Sequence, residues 1–210
     1  MKFQNSISTQ PIFIAGPTAV GKSAIALELA QRLDGEIISV DSMQVYRGLD
    51  IGTAKPTRAE REKIPHHLID VANLDETFDA AKFCALAGKA VSEIRSRNRL
   101  PIFCGGTGFY FKAFLEGLGD APPANLELRR ALETTSLADL LEELKQKDGV
   151  TFDKIDRQNP RRVIRAVEVI RLTGKPVSEQ RSTWSKSANT LMQKASCIGF
   201  SRTNSDLHSR

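Results

Sequence analysis

The run PIFIAGPTAVGKSAIALELAQRL, from Pro11 to Leu33, places an apolar strand, a tight glycine turn and a helix in immediate succession. Pro11 to Ala15 is the strand, and Ser23 to Leu33 carries helical periodicity. Between them Gly16-Pro17-Thr18-Ala19-Val20-Gly21-Lys22-Ser23 fits G-x-x-x-x-G-K-[ST] without a gap, in the strand-to-helix setting that this pattern requires. Gly16 and Gly21 let the backbone bend so that N–H groups converge on phosphate oxygens. The helix N-terminus adds a partial positive charge and Lys22 a full one. The Ser23 hydroxyl is placed to ligate Mg²⁺. The pattern specifies phosphate without saying which phosphate compound.

Outward from this loop, further short apolar runs alternate with helical patterns. Strands are predicted at Glu36 to Val40, His67 to Val71 and Leu100 to Cys104, with an amphipathic helix from about Asp79 to Arg97. Such alternation implies an α/β fold, a parallel sheet with helices on both faces. Past Glu116 the texture changes. After the break at Gly117, Gly119 and Pro122-Pro123, Leu137, Leu140, Leu141 and Leu144 recur at helical spacing. Val163, Ala166, Val167 and Ile170 do the same in a helix opened by Asn159-Pro160 and closed near Gly174. A strand-like stretch returns at Ala195 to Phe200. The expected division is therefore a core of residues 1–118 and 195–210, with an all-helical insertion of residues 119–194.

In open parallel sheets, ligands sit beyond the carboxyl ends of the strands, and Asp41 falls there, just after Ile37-Ile38-Ser39-Val40. A carboxylate at that place can hold Mg²⁺, accept a proton from a nucleophile, or cap the following loop. Asp70 ends the third strand and carries the same reading with less around it. Gly105-Gly106-Thr107-Gly108 adds a tight loop on the same edge, able to admit a ligand backbone-close with one hydroxyl to orient it. His66 and His67 are adjacent and lack a third His or Cys nearby, so they read as structural or substrate-contacting rather than metal-binding. In the helical part, Arg161, Arg162 and Arg165 fall opposite the apolar stripe, and Arg129, Arg130 and Lys175 add charge. Such a face suits an RNA backbone, or else is a solvated face partly paired with Glu168.

Composition is ordinary for a globular chain of 210 residues, with 40% hydrophobic and 26% charged residues, and the formal charge of +5 leans towards an anionic partner. The three dispersed cysteines, Cys84, Cys104 and Cys197, argue against a disulfide framework or structural zinc and predict reduced, mostly buried thiols. No run approaches the ~18 consecutive apolar residues of a membrane span, and Met1 to Gln10 lacks a signal-peptide core. A soluble, cytoplasmic protein with no membrane association is expected.

Taken together, several strings resemble the bacterial tRNA dimethylallyltransferases, also called tRNA isopentenyltransferases. They are GPTAVGKS at Gly16 to Ser23, ISVDSMQVYRGLDIGTAKP at Ile38 to Pro56, PHHLID at Pro65 to Asp70, GGTGFYFKAFLEG at Gly105 to Gly117, and NPRRVIRAVEV at Asn159 to Val169 with Gly174-Lys175 beyond. The resemblance implies a P-loop NTPase-like core with a helical insertion that grips the anticodon stem-loop of tRNA. It implies dimethylallyl diphosphate as donor and the N6 amine of adenosine-37, beside the anticodon, as acceptor. Mg²⁺ is implied at Ser23 together with Asp41, and a monomer is expected. Thr18 looks like the threonine that contacts the diphosphate near its scissile oxygen, and Asp41 like the carboxylate that receives the amine proton. Asp41, Ser42, Met43, Gln44, Thr107, Arg129, Arg161, Arg162, Val163, Ile164 and Arg165 match tRNA-contacting positions. Members of the family continue past Ile198-Gly199-Phe200 through further helices, whereas this sequence stops at Leu207-His208-Ser209-Arg210. The resemblance therefore implies a chain short at its C-terminal end, with reduced turnover. Two other readings use the same residues. An ATP-dependent small-molecule kinase would use the phosphate loop but leave the GTAKP run and the arginine helix idle. A non-catalytic tRNA-binding remnant would use only the basic surface.

Overall fold

A computed structural model describes residues 10–118, 121–181 and 196–201. The chain divides into two compact units, Met1–Leu115 with Asn189–Arg210, and Glu116–Ala188.

The first unit is an α/β layer structure. Strands β1 (Ile12–Ala15), β2 (Gly35–Val40), β3 (His66–His67), β4 (Leu100–Gly105) and β5 (Ser196–Gly199) form one sheet in the order β3-β2-β4-β1-β5. Every pairing in it is parallel. Helices α1 (Lys22–Arg32), α2 (Arg58–Lys63), α3 (Ala80–Ser96) and α4 (Gly108–Glu116) belong to its connections. Alternation along the strands explains the two covered faces. Ile14, Ile37 and Ile102 point to one side and pack with Ala26 and Ala30 of α1. Phe13 and Phe103, paired in register across β1 and β4, point to the other and stack at 4.6 Å between ring centroids. Phe114 of α4 closes on Phe103 at 4.8 Å, and Phe83 of α3 stacks on Tyr110 at 4.6 Å. This face is thus an aromatic layer, the other an aliphatic one.

Sequence periodicity locates β1, β2, β4, α1 and α3 to within a residue or two of the observed elements. The third strand is corrected: only His66 and His67 pair with β2, not the whole of His67 to Val71. Leu68 and Asp70 have left-handed backbones, φ 63° and 57°, which an extended strand cannot contain. Beyond it the chain bonds to residues 44 and 45, through the Asp70, Val71 and Ala72 amides, with an isolated bridge between Tyr46 and Ala72. Helix α2 is missing from the periodicity because RAEREK has no apolar stripe. A capping box, Thr57 with Glu60, opens it instead. Ala195, at the expected start of the last strand, and Leu207 to Arg210 lie outside the described residues. Cys84 and Cys104 are half-buried, but Cys197 on β5 is exposed, contrary to the buried thiol expected there. No helix among the described residues is long and apolar enough to cross a membrane.

The second unit is helical, with α5 (Leu126–Glu133), α6 (Leu137–Lys147), α7 (Gly149–Lys154), α8 (Pro160–Thr173) and α9 (Val177–Arg181). Its core joins Leu132, Leu140, Leu144, Val163, Ala166, Val167 and Ile170. Asn159 caps α8 through its side chain with Pro160 at the first turn, and Gly174 ends it at φ 67°.

Where the sheet meets the candidate site, β2 and β4 run so close at Gly105 that a methyl group there would lie 2.0 Å from the Val40 carbonyl oxygen. Only glycine fits, and the contact sets where both strands release their loops. Gly105→Ala is expected to lower stability by ~1–3 kcal/mol or more through overpacking. The urea midpoint would fall without a change in slope; an unchanged midpoint would show that the strands yield freely there.

Candidate functional site

Residues Gly16 to Ser23 connect β1 to α1, and the turn is made by two left-handed residues, Ala19 at φ 66° and Gly21 at φ 97°. Val20 anchors it, with 5% of its surface exposed, while Pro17, Thr18, Ala19 and Ser23 face outward. Unlike α2, α3, α5, α6, α7 and α8, whose first turns are capped by Thr57, Asp79, Asn125, Ser136, Asp148 and Asn159, α1 follows Gly21 with no side-chain cap and no acid in its first turn. Its leading N–H groups have no intrahelical partner, which is the arrangement that receives an anion.

Lys22 adds the full charge. It is 9% exposed, and its ammonium donates to the Pro17 carbonyl at 2.5 Å. Burial pushes the Lys22 ammonium below its ordinary value, opposed by the neighbouring Asp41 carboxylate. A desolvated ammonium with one carbonyl acceptor among the described residues is short of partners, and a bound anion would supply them. A helix terminus contributes ~0.3–1 kcal/mol to an anion. A unit charge about 4 Å away contributes on the order of 4 kcal/mol at an effective dielectric of about 20. Lys22 is the dominant electrostatic element. Cys104 beside it is not a second anion, because burial pushes its thiol up to about 11.

Thr18, Lys22, Ser23, Asp41 and Gly106 line one cavity of about 570 Å³, bounded further along by the segment from Gly52 to Pro56 and by His66. Asp41 leaves the end of β2 and folds its Oδ1 back to accept from the Met43 and Gln44 amides at 2.8 and 3.2 Å. The capping role open to this aspartate is therefore present. Both bonds fall on Oδ1, and among the described residues Oδ2 has no hydrogen-bond partner. Thr107 ties the two strand ends together: its amide donates to the Val40 carbonyl at 3.1 Å, and its Oγ1 accepts from the Ser42 amide at 3.1 Å. Among the described residues the hydroxyl proton has no acceptor, which leaves it for a ligand. The Ser23 hydroxyl and the Asp41 carboxylate, in one cavity with room for diphosphate oxygens and water, fit the hard-oxygen, water-retaining coordination of Mg²⁺. Among the described residues no group of three His, Cys, Asp or Glu could cage a metal by protein ligands alone.

Other candidates are employed differently. Gln44 has both amide hydrogens engaged, with the Thr53 and Ala54 carbonyls at 3.0 Å each, and its Oε1 accepts from Ser39 at 2.8 Å. It holds the loop in place; Ser42 and Met43 are the exposed members of that segment. Asp70 is bound by Lys55 at 2.6 Å and Arg61 at 2.7 Å, so it is a structural anion. His67 pairs with buried Glu36 at 2.7 Å, and Arg97 donates to the same carboxylate. Burial alone would raise the Glu36 carboxyl, but the bonds from Arg97 and His67 hold it at about 2. His66 bonds the Ile64 carbonyl, and burial keeps its imidazole below the usual histidine range.

The helical unit narrows the expected arginine face. Arg161 and Arg162 are exposed. Arg165 and Arg129 both donate to Glu168 Oε2, at 2.7 and 2.8 Å, and Arg165 also donates to the Pro122 carbonyl at 2.6 Å. Glu168 is fully buried, and the Asn125 amide holds its other oxygen at 2.8 Å. Val163 is 0% exposed, inside the helical core. Ile164 is half-buried. The sequence signal for Glu168 is its i+3 spacing from Arg165; its burial depends on the chain around Pro122 and Asn125, which no helical wheel contains. Lys55, which the motif reading passes over, stands in the GTAKP run between Asp50 and Asp70.

Comparison with known proteins places these residues in context. The IPP transferase family profile matches residues 44–210. A tRNA dimethylallyltransferase of a Roseiflexus strain is 49% identical over 176 residues, covering 81% of this chain and 58% of that protein. Among solved structures, the tRNA delta(2)-isopentenylpyrophosphate transferase of Staphylococcus epidermidis is 36% identical with a TM-score of 0.58, covering 95% of this chain and 66% of that one. A eukaryotic dimethylallyltransferase acting on tRNA is 29% identical with a TM-score of 0.80, covering 96% of this chain and 50% of that one. The chain spans 54% to 58% of the length of the first curated relatives that it matches.

Proposed function

The chain belongs to the IPP transferase family, and from that premise we propose that it transfers a dimethylallyl group from dimethylallyl diphosphate to the N6 amine of adenosine-37 in tRNA. One observation carries the reading: an uncapped phosphate loop with a desolvated Lys22 opens into the same cavity as Asp41. Diphosphate and a proton acceptor are what this reaction needs side by side. The relatives' names, as tRNA dimethylallyltransferases, supply the donor and acceptor classes.

In the proposed reaction the adenine leaves the stacked anticodon arm so that its amine reaches the cavity. The amine nitrogen forms a bond to the allylic carbon as the carbon–oxygen bond to diphosphate breaks, and the diphosphate departs with the electron pair. Negative charge therefore grows on the oxygen nearest the loop. Lys22 and the first N–H groups of α1 are fixed donors there, and their contribution increases with that charge. Thr18, exposed and lining the same cavity, donates to the leaving oxygen in this reading. Asp41 takes the proton from the amine. Mg²⁺ held by Ser23 and Asp41 would neutralise part of the diphosphate charge. The Thr107 hydroxyl and the exposed Ser42 and Met43 border the route by which the base enters. Arg161 and Arg162, outside the Glu168 cluster, offer positive charge to tRNA phosphates, while Arg129 and Arg165 present edges already oriented by Glu168.

Two variants should divide the site. Lys22→Ala is expected to lose donor binding, whereas Asp41→Asn should lose less donor affinity, because Lys22 and Ser23 remain, and slow turnover by ~10²-fold or more. Calorimetry with dimethylallyl diphosphate and a prenyl-transfer assay read the two effects. Near-normal turnover of Asp41→Asn would leave that residue only its capping role.

Replacing Arg161 and Arg162 together by Ala is expected to weaken tRNA binding and reduce its log–log salt slope by about one for each phosphate no longer neutralised. Filter binding across a salt series checks this. An unchanged slope would make these arginines a solvated face.

A further inference from the structure

The segment from Asp41 to Pro56 is a strap fastened at both ends. Lys55 is the tighter fastening: its side chain is 2% exposed, and its ammonium donates to the Tyr46 carbonyl at 2.6 Å, Asp70 Oδ1 at 2.6 Å and Asp50 Oδ1 at 2.9 Å. All three of its N–H groups are engaged. Gln44 supplies the second fastening, through the Thr53 and Ala54 carbonyls. The stretch between them is itself hydrogen-bonded inward: the Tyr46 amide donates to the Met43 carbonyl at 3.2 Å, and the Asp70 amide to the Gln44 carbonyl at 3.1 Å. Residues 43 to 46 are thus held from beneath by Asp70 and from the side by Lys55. Asp41 orients its carboxylate on the Met43 and Gln44 amides of that same stretch. A buried ammonium stripped of these acceptors would be uncompensated, so opening the strap is strongly opposed.

We propose that Lys55 is a positioning residue for the transfer reaction, which fixes the Asp41 carboxylate towards the diphosphate cavity by holding residues 43 to 46. The inference rests on the reading of Asp41 as proton acceptor. It assigns Lys55 no contact with substrate. The path is Lys55 to the Tyr46 carbonyl, from Tyr46 to Met43, and from the Met43 and Gln44 amides to Asp41. Lys55→Met keeps the length and apolar stem of the side chain while removing its donors. Asp70 retains Arg61 in that variant, and Asp50 is largely exposed, so neither acid is left buried and alone.

Amide hydrogen exchange on the full chain reads the geometry without requiring turnover. In Lys55→Met the Met43, Gln44 and Tyr46 amides should exchange ~10-fold faster or more, with the strand amides of Ile14 and Ile38 unchanged and inorganic diphosphate affinity within about twofold. Arg61→Gln, which removes the other partner of Asp70, should leave those three amides as they are. Unaltered exchange at Met43 and Gln44, or equal acceleration in the strands, would overturn the proposal. Turnover supplies the second test, through Lys55→Met, Asp41→Asn and the double variant. If Lys55 acts through Asp41, the double variant should be about as slow as Asp41→Asn alone; independent, multiplying losses would contradict it. Normal turnover in Asp41→Asn would defeat the reading of Asp41, whereas a loss there with normal turnover in Lys55→Met defeats this inference alone. Should Lys55→Met fail to fold, Lys55→Gln, with a shorter reach, is expected to show the same pattern and is judged by the same outcomes.

Discussion

The approach of Gly105 to the Val40 carbonyl governs how the carboxyl edge of the sheet is assembled. Parallel strands release their loops from one edge, and where each loop begins depends on how closely neighbouring strands pack. Because β4 has no side chain at Gly105, β2 approaches until the Thr107 amide can reach the Val40 carbonyl and the Thr107 hydroxyl can reach the Ser42 amide. Asp41 then emerges beside the phosphate loop of β1 rather than a side-chain width away. Gly16 has a related constraint on the other flank, where a methyl group would meet the Phe200 carbonyl oxygen at 2.7 Å. The site is thus a consequence of sheet packing before it is a set of side chains.

Electrostatics follow the same pattern in both units: charges that build are paired, and charges facing the cavity or the exposed helix end are left short of partners. Lys55, Asp70, Arg61, Glu36, Arg97 and Glu168 are all engaged with one another or with backbone. Among the described residues Lys22 has only the Pro17 carbonyl, and α1 has no cap. Breaking a buried pair by removing one partner costs ~3–5 kcal/mol, so the paired groups are poor candidates for chemistry and good ones for holding shape. That distinction separates Arg161 and Arg162 from Arg129 and Arg165, although all four look alike as arginines in the sequence.

Much of this is legible in the sequence where local rules and burial agree. The turn from Gly16 to Ser23 is legible because its glycine, lysine and serine spacing sits between an apolar strand and a helical pattern, and Asn159, Pro160 and Gly174 bracket α8 for equally local reasons. The buried strands β2 and β4 read as apolar runs because both faces of the sheet are covered. What escapes depends on long-range geometry. The third strand reads longer than it is because nothing in PHHLIDV reveals the left-handed turns at Leu68 and Asp70, which the pairing of Asp70 with Lys55 and Arg61 accompanies. Val163 reads together with the arginines beside it, although its place in the apolar stripe already points inward. Glu168 lies on the arginine side of the wheel yet is fully buried, since a second helix and the chain before it cover that side. Lys55 carries no signal of its own in the sequence, because its role depends on Asp50, Asp70 and the Tyr46 carbonyl being brought around it.

The proposal that one cavity joins a prenyl diphosphate to a tRNA amine, with no phosphoryl transfer, is tested most directly by following two labels at once. The chain and Mg²⁺ are incubated with unmodified tRNA and either carbon-labelled dimethylallyl diphosphate or γ-phosphate-labelled ATP, and the tRNA is then digested to nucleosides. Carbon label is expected on N6 of the adenosine beside the anticodon, with no phosphate label transferred from ATP. Phosphate label on any acceptor, or binding of ATP with no carbon label entering tRNA, would contradict it.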